Sequence, residues 1–329
     1  MKMIGIEIGT HLIKILEVSK RRNHICVQRF TVVETPIGSV EDGIIKESEA
    51  LQTAIETALR EGGYKTKKVV LVIQSSQMLV RPIWLPKYPE KAIRQLLEID
   101  IEQYLPIKRH THQIDFRIIE EREDKLKIEV VAVPNPIIFS LSELITQLKC
   151  KPIRMIPAYM GLWYLVQQEP YRLQIHSQSC MFIDWGWKHT TVTMITATGE
   201  VMSRVILFGT GNLKNKEDEI ACAMQKEGAD MMDKPWQWIG PQIEYHILTE
   251  IEKMIAFFYS YYEAEPIQHI YLIGGGAHIE TLRTYVRDAL NKPTEVINQL
   301  FDISVAPSIM FEQQIALFMN NLSVLCSVK

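Results

Sequence analysis

The sequence predicts an α/β protein of two duplicated halves, with a small β-α-β-β-α unit inserted in the first. Three observations carry this. A strand ending in an acid and a glycine opens each half, at Ile4-Gly5-Ile6-Glu7-Ile8-Gly9 and at Met181-Phe182-Ile183-Asp184-Trp185-Gly186, and a meander follows each time. Late in the second half, the apolar run Ile270-Tyr271-Leu272-Ile273 leads into Gly274-Gly275-Gly276 and then a helix. Between the halves, a block starting near Ser76 has its own strand-helix-hairpin-helix order. A supersecondary pattern that recurs along one chain marks duplicated domains.

The opening meander continues with strands at His11 to Val18 and Ile25 to Val33, separated by turns at Gly9-Thr10 and Arg21-Arg22-Asn23. A helix follows from about Ser48, with Leu51, Ile55 and Leu59 on one face and Gly62-Gly63 as its stop. Lys67 to Ile73 is an apolar run bounded by polar residues, as in a buried strand. In the inserted block, Met78 to Leu85 reads as a strand. The helix after Pro89 carries Ile93, Leu96, Leu97, Ile101 and Tyr104, and Pro106 ends it. Gln113 to Glu120 and Lys125 to Val133 form a hairpin, and a helix with Leu141, Leu144, Ile145 and Leu148 closes the block. The second half repeats the meander with His189 to Thr196 and Glu200 to Phe208. A polar region from Asn212 to Pro241 follows. Ile243, Ile247, Ile251, Ile255 and Phe258 then predict one amphipathic helix, and a last helix is expected from about Ser308 to Leu325.

Composition narrows the function classes. A chain of 329 residues accommodates two domains with their own cores. The net charge of −3 offers no basic field for nucleic acid. No apolar run reaches the roughly 18–20 residues of a membrane span, and the start, MKMIGIEIGT, lacks a signal-peptide core. A cytosolic protein without direct membrane insertion is expected. Cys26, Cys150, Cys180, Cys222 and Cys326 are scattered, with no CxxC, and read as reduced thiols.

Three segments could carry chemistry. In Glu7-Ile8-Gly9-Thr10 with Lys14, the Gly-bearing turn can aim backbone N–H groups at a phosphate, the lysine can add a point charge, and the carboxylate can hold Mg²⁺ through its waters. A tight hairpin with a solvated lysine is the other reading. Asp184-Trp185-Gly186-Trp187-Lys188-His189-Thr190 is its counterpart, but two tryptophans crowd a phosphate loop and fit packing or partner contact equally well. Gly274-Gly275-Gly276 lets backbone lie flat against a base or ribose, with a helix N-terminus behind it, or is simply a tight turn.

This order of phosphate 1, phosphate 2 and adenosine segments resembles the actin, Hsp70 and sugar-kinase superfamily. The fold class is therefore an actin-like (ribonuclease H-like) duplicated fold with the inserted subdomain. The inserted block narrows the resemblance. Arg81-Pro82-Ile83-Trp84-Leu85-Pro86, Glu98-Ile99-Asp100-Ile101-Glu102-Gln103-Tyr104-Leu105-Pro106 and Asp115-Phe116 are similar to the PilM family of type IV pilus assembly proteins, as are GIEIGTHLIKILEV, FIDWGWKHTTVTMI, EIEKMIAFFYSYY and IYLIGGGAHIETLRTYV. The resemblance covers nearly the whole chain. It implies subdomain 1A over 1–75, inserted subdomain 1C over 76–150 and a return to 1A over 151–175. It implies 2A over 176–211, a reduced 2B over 212–241, 2A again over 242–303, and a C-terminal helix over 304–329 packing on 1A.

The resemblance also implies ATP and Mg²⁺ in the interdomain cleft, held by Glu7, Gly9, Thr10, Lys14, Asp184, Gly186, Thr190, Gly209, Gly274, Gly275 and Gly276, with Glu7 and Asp184 towards the metal. It implies a groove formed by the inserted subdomain and the first domain, taking the N-terminal cytoplasmic peptide of a PilN-like single-span membrane protein. Trp84 and Tyr88 are its candidate residues, with subdomain core as their other reading. Cytosolic pilus motor ATPases are further implied partners. The sequence departs from the family pattern at Glu7, where Asp is usual, at Trp187, where a small residue is usual, and at Gly209-Thr210-Gly211-Asn212, a loose match. An octahedral Mg²⁺ shell tolerates little displacement of a carboxylate. The expectation is a scaffold at an inner-membrane platform, with ATP bound weakly or lost and at most slow hydrolysis. An active phosphotransferase of the sugar-kinase branch needs a catalytic base, and no acid claims that role, Asp115 reading as structural. An FtsA-like filament-forming tether needs a basic amphipathic tail, which Asn320 to Lys329 does not resemble.

Overall fold

In the computed structural model, residues 1–22, 24–169, 172–174, 178–213, 243–262, 264–307 and 309–328 are described. β1 (Lys2–Ile8), β2 (Leu12–Arg21) and β3 (His24–Glu34) form an antiparallel meander. A short ribbon, β4 (Val40–Glu41) with β5 (Ile44–Ile45), leads to α1 (Ser48–Glu61) and to β6 (Lys68–Ile73), which lies parallel to β1. The inserted unit follows as β7 (Leu79–Pro86), α2 (Glu90–Tyr104), β8 (His112–Glu121) and β9 (Lys125–Pro134), its three strands ordered β7-β9-β8. The chain then returns through α3 (Asn135–Gln147) to β10 (Lys151–Pro157), parallel to β6, and α4 (Ala158–Gln167).

The second half repeats the plan. β11 (Cys180–Trp185), β12 (Thr190–Ile195) and β13 (Val201–Ile206) make the meander. α5 (Thr249–Tyr262), β14 (His269–Ile273), α6 (Glu280–Leu290) and β15 (Thr294–Val296) follow, with β14 parallel to β11 and β15 parallel to β14. β16 (Ile303–Val305) crosses back to pair with β3, and α7 (Met319–Ser327) packs against α4 and the first sheet. The orders β3-β2-β1-β6-β10 and β13-β12-β11-β14-β15 are the same topology twice.

Both sheets are covered on two faces, so their central strands are buried on both, and alternate residues enter different cores. On the first sheet, Ile4, Ile6, Ile13, Ile15, Val69, Leu71 and Ile73 pack with α1 and α3, while Met3, Leu16, Val18, Val70 and Val72 pack with α4 and α7. That second core also takes Phe182, Ile195, Val201 and Tyr271 from the second sheet. The two halves thus share one apolar cluster. The inserted unit has its own core, with Ile93, Leu97 and Ile101 of α2 on Leu85, Leu126, Ile128 and Val130.

Two helix expectations change. The run from Ile243 to Phe258 is broken at its start by a π-helical turn, Glu244–Leu248, before α5. The last helix is short: a 3₁₀ turn at Glu312–Gln314 precedes α7, and only α7 is regular. Repeated i+4 spacing is satisfied by one turn of π-helix nearly as well as by α-helix, so the sequence pattern does not separate them. Most of the expected 212–241 subdomain, from 214 to 241, lies outside the described residues, as does Cys222. Among the described residues, no helix is long and apolar enough to cross a membrane.

Candidate functional site

The two acid-Gly hairpins face each other across the junction of the halves. Glu7 and Lys14 lie directly opposite on β1 and β2, where cross-strand side chains meet. Lys14 Nζ donates to Glu7 Oε1 at 2.6 Å and to the Leu317 carbonyl at 3.2 Å. Both residues are buried, so the alternative expectation of a solvated lysine does not hold. Burial pushes the Glu7 carboxyl up; Lys14 opposes that shift and the Asp184 charge adds to it.

Asn320 of α7 joins the two acids. Its Nδ2 donates to Asp184 Oδ2 at 2.9 Å and to Glu7 Oε1 at 3.3 Å. Gln74, just past the end of β6, donates to Asp184 Oδ2 at 3.2 Å and also to Thr191 Oγ1. Asn321 Nδ2 reaches Glu7 Oε2 at 3.5 Å. The Oδ1 atoms of Asn320 and Asn321 are buried without a protein partner. Two carboxylates, one ammonium and three amides therefore form a polar junction between the halves.

The expected phosphate loops are engaged in their own turns. The Gly9 N–H donates to the Leu12 carbonyl at 3.0 Å and the Gly186 N–H to that of His189 at 3.1 Å. Thr190 is fully buried, its hydroxyl donating to the Phe208 carbonyl at 2.8 Å. Thr10 lies half-buried beside Gly9 in the first turn. Trp187 reaches from the second hairpin to the first. Its indole stacks on His11 of the first turn with centroids 4.3 Å apart and planes 21° apart. A Cβ on Gly211 would sit 2.6 Å from that indole, and one on Gly209 would meet the Trp187 carbonyl. These glycines make room for Trp187.

At the triple glycine, Gly274 has φ +84°, and a Cβ there would collide with Asp184 Oδ1. Its N–H donates to the Ala316 carbonyl at 2.9 Å, which ties the turn to the segment before α7. A Cβ on Gly276 would press on Thr210 and Trp185. Gly275 is different: it is exposed, and a Cβ would find only Trp185 O, at 4.0 Å. The backbone at Gly275 is therefore open on that side. The end expected to hold phosphate fits a divalent ion poorly, because the Glu7 oxygens already accept from Lys14, Asn320 and Asn321.

The two groove candidates are exposed rather than core, Trp84 at 39% and Tyr88 at 45%. Trp84 lies under Arg122, whose guanidinium carbon is 4.5 Å from the ring centroid, with Lys127 Nζ at 5.7 Å. It lines a cavity of about 1180 Å³ together with Lys127, Ser179, Glu200 and Tyr262, between the inserted unit and the second half. Tyr88, before α2, does not line it. Asp115 is on β8, ion-paired with Arg94 at 3.0 Å.

Sequence reasoning missed Gln74, Asn320, Asn321 and His11. A signal existed for three of them. Gln74 is the polar residue directly after a buried strand parallel to β1, and Asn320-Asn321 stand side by side in a buried, mostly apolar helix. His11 carried no signal, because its role depends on Trp187 from the other half.

The family described as type IV pilus assembly protein PilM matches residues 5–327 of this chain. Among solved structures, a PilM-PilN type IV pilus biogenesis complex superposes with a TM-score of 0.82 at 19% identity, covering 100% of this chain and 99% of the other. The ethanolamine utilization protein EutJ from Carboxydothermus hydrogenoformans gives a TM-score of 0.53 at 11% identity, covering 99% and 89%. The cytoplasmic domain of EpsL, an inner-membrane component of the type II secretion system of Vibrio cholerae, gives 0.50 at 11% identity, covering 100% and 96%. At these identities the structural likenesses establish the actin-like fold.

Proposed function

This chain belongs to the PilM family of type IV pilus assembly proteins, and from that premise we propose that it is an actin-like scaffold of a pilus or related secretion or DNA-uptake platform, holding nucleotide as a structural ligand without efficient turnover. Its partner in this reading is a PilN-like single-span membrane protein, engaged through that protein's cytoplasmic N-terminal peptide at the inserted subdomain. Such engagement places the scaffold at the inner membrane with no insertion of its own, where cytosolic motor ATPases can meet it.

The observation that carries the scaffold reading is that the acids at the junction are engaged by the chain's own side chains. Lys14 donates to Glu7, Asn320 and Gln74 donate to Asp184 Oδ2, and Trp187 stacks on His11. A transferase needs a base free to take a proton from its acceptor, and the acids brought together here are engaged elsewhere. The open backbone at Gly275 supports retention of an adenosine-like group.

Calorimetric titration with ATP, with and without Mg²⁺, tests the nucleotide claim. Weak binding that Mg²⁺ barely changes is expected. Trp187→Gly removes an aromatic contact of about 0.5–1.5 kcal/mol from the phosphate end and should tighten ATP binding by up to roughly tenfold. No heat and no thermal shift at millimolar ATP, in both the wild type and Trp187→Gly, would sink it. The partner claim is tested separately, by co-purification with the N-terminal peptide of a PilN-like protein, and fails if no such peptide is retained.

A further inference from the structure

The β12–β13 hairpin touches the first half at both of its ends. At the cleft end, Thr191 of β12 accepts from Gln74, and the neighbouring Asp184 accepts from Gln74 and Asn320. At the far end, the turn from Thr196 to Glu200 is gripped by two elements that belong to the other half. From α4, Trp163 Nε1 donates to the Gly199 carbonyl at 2.8 Å and Gln167 Nε2 to the Thr196 carbonyl at 3.2 Å. From the inserted sheet, Arg117 of β8 donates to the same Gly199 carbonyl at 3.1 Å, and Lys127 of β9 pairs with Glu200.

The grip at the far end is built, not incidental. Arg117 is fixed by a bidentate pair with Glu129, at 2.8 and 2.9 Å, and by stacking over Trp163, its guanidinium carbon 4.1 Å from the ring centroid. Glu129 is 2% exposed, and the Tyr159 hydroxyl approaches it at 3.5 Å. A charged pair this deep holds one geometry because leaving either partner alone is costly. Gly199 itself has φ +92°, and this shapes a turn whose carbonyl meets both donors.

We infer that the β12–β13 hairpin is a lever that couples closure of the interdomain cleft to the seating of the inserted subdomain on the second half. From Thr191 to Thr196 a strand rises about 3.3 Å per residue, so the two contact sites lie roughly 16 Å apart along one stiff ladder of paired strands. A rigid element pinned at both ends to the opposite half cannot rotate away from one contact without loading the other. Coupling of this kind is reciprocal: whatever favours the closed cleft favours the latched inserted unit, and the reverse. The cavity lined by Trp84, Lys127 and Glu200 lies at the latch, so an occupant there acts on the lever directly. The lever is a property of the protein alone and holds whether or not the cleft takes nucleotide or the inserted unit takes a peptide.

Amide hydrogen exchange on the full chain tests it. Arg117→Met is made together with Glu129→Gln, so that no buried carboxylate is stranded. The pair should raise exchange at Asp184 to Thr193, at the distant cleft end, at least severalfold. Gln74→Ala should raise exchange at Thr196 to Val201 and along β8. The three substitutions combined should add little beyond the larger of the two effects. Ile55→Val, a core truncation on α1, which covers the far face of the first sheet, sets the pattern of general destabilisation. Exchange rising only beside each substitution, effects that multiply in the combined variant, or a pattern matching Ile55→Val would each overturn the lever. Should the Arg117 variant fail to fold, Trp163→Phe deletes one donor to Gly199 and gives the same reading.

Discussion

Lys14→Met is expected to destabilise the protein by about 3–5 kcal/mol at neutral pH, the range for breaking a buried ion pair from one side. The reason is local. Glu7 and Lys14 are 6% and 7% exposed, and the ammonium is the cation nearest to a carboxylate that burial and Asp184 already disfavour. Asn320 and Asn321 offer amide donors, which soften but do not replace a charge. The pH dependence follows in sign. The folded-state pKa of Glu7 is raised above its ordinary value, so its protonated form is the one folding favours. Its contribution is fully present below the unfolded pKa and lost as pH rises through the folded one. Removing Lys14 deletes an opposing influence and moves the folded pKa further up. The Lys14→Met deficit should therefore shrink as pH falls from neutral towards the carboxylate range, and Glu7→Gln in the same background should abolish that trend. Urea denaturation at several pH values checks both. A deficit under about 1 kcal/mol, the range of an exposed pair, would mean that the pair is solvated.

That pairing was within reach of the sequence. A hairpin turning at Gly9 to His11 sets Glu7 opposite Lys14, and opposite charges facing each other across two strands attract. The same acid, glycine and lysine also make a phosphate loop, and the local sequence does not separate that from a hairpin. The duplicated fold was legible for a simpler reason: each central strand carries its acid and glycine at the same end, and strand periodicity is local. Contacts between the halves are not local. Trp187 stands out where a small residue is usual, but nothing in the sequence near it names His11 as its partner. The resemblance reads Gly209 as a nucleotide glycine; in the structure the missing side chains of Gly209 and Gly211 clear space for that indole. From Lys151 to Gln167 the sequence predicts no helix or strand of its own, only a return to the first subdomain. Its helix, Ala158-Tyr159-Met160-Gly161-Leu162-Trp163-Tyr164-Leu165-Val166-Gln167, is apolar nearly all round because it lies between a sheet, another helix and the second half. A helix without a polar face has no amphipathic period to detect.

Within that helix, Gly161→Val is the other substitution with a large expected effect, about 3 kcal/mol or more of lost stability. α4 and α7 cross in close contact at Gly161. A Cβ there would lie 2.7 Å from the Val324 backbone nitrogen and 2.9 Å from the Ser323 carbonyl carbon, besides meeting the Ser323 hydroxyl. A side-chain tip could swing away, but backbone atoms of a buried helix cannot, so the helices must separate. Overpacking a core costs about 1–3 kcal/mol, and contact with backbone puts this site at the upper end. Gly161→Ala is milder, since alanine regains up to roughly 1 kcal/mol of helix propensity over glycine. The damage should not stay at the crossing. α7 carries Asn320 and Asn321, which hold Glu7 and Asp184, and Lys20 holds its last carbonyls at Cys326 and Val328. A displaced α7 withdraws the amide that joins the two acids, so cleft amides near Asp184 should exchange faster in Gly161→Ala even where the global fold survives. A urea midpoint for Gly161→Val equal to that of the wild type, at unchanged slope, would mean that the two helices do not approach as closely as the glycine implies.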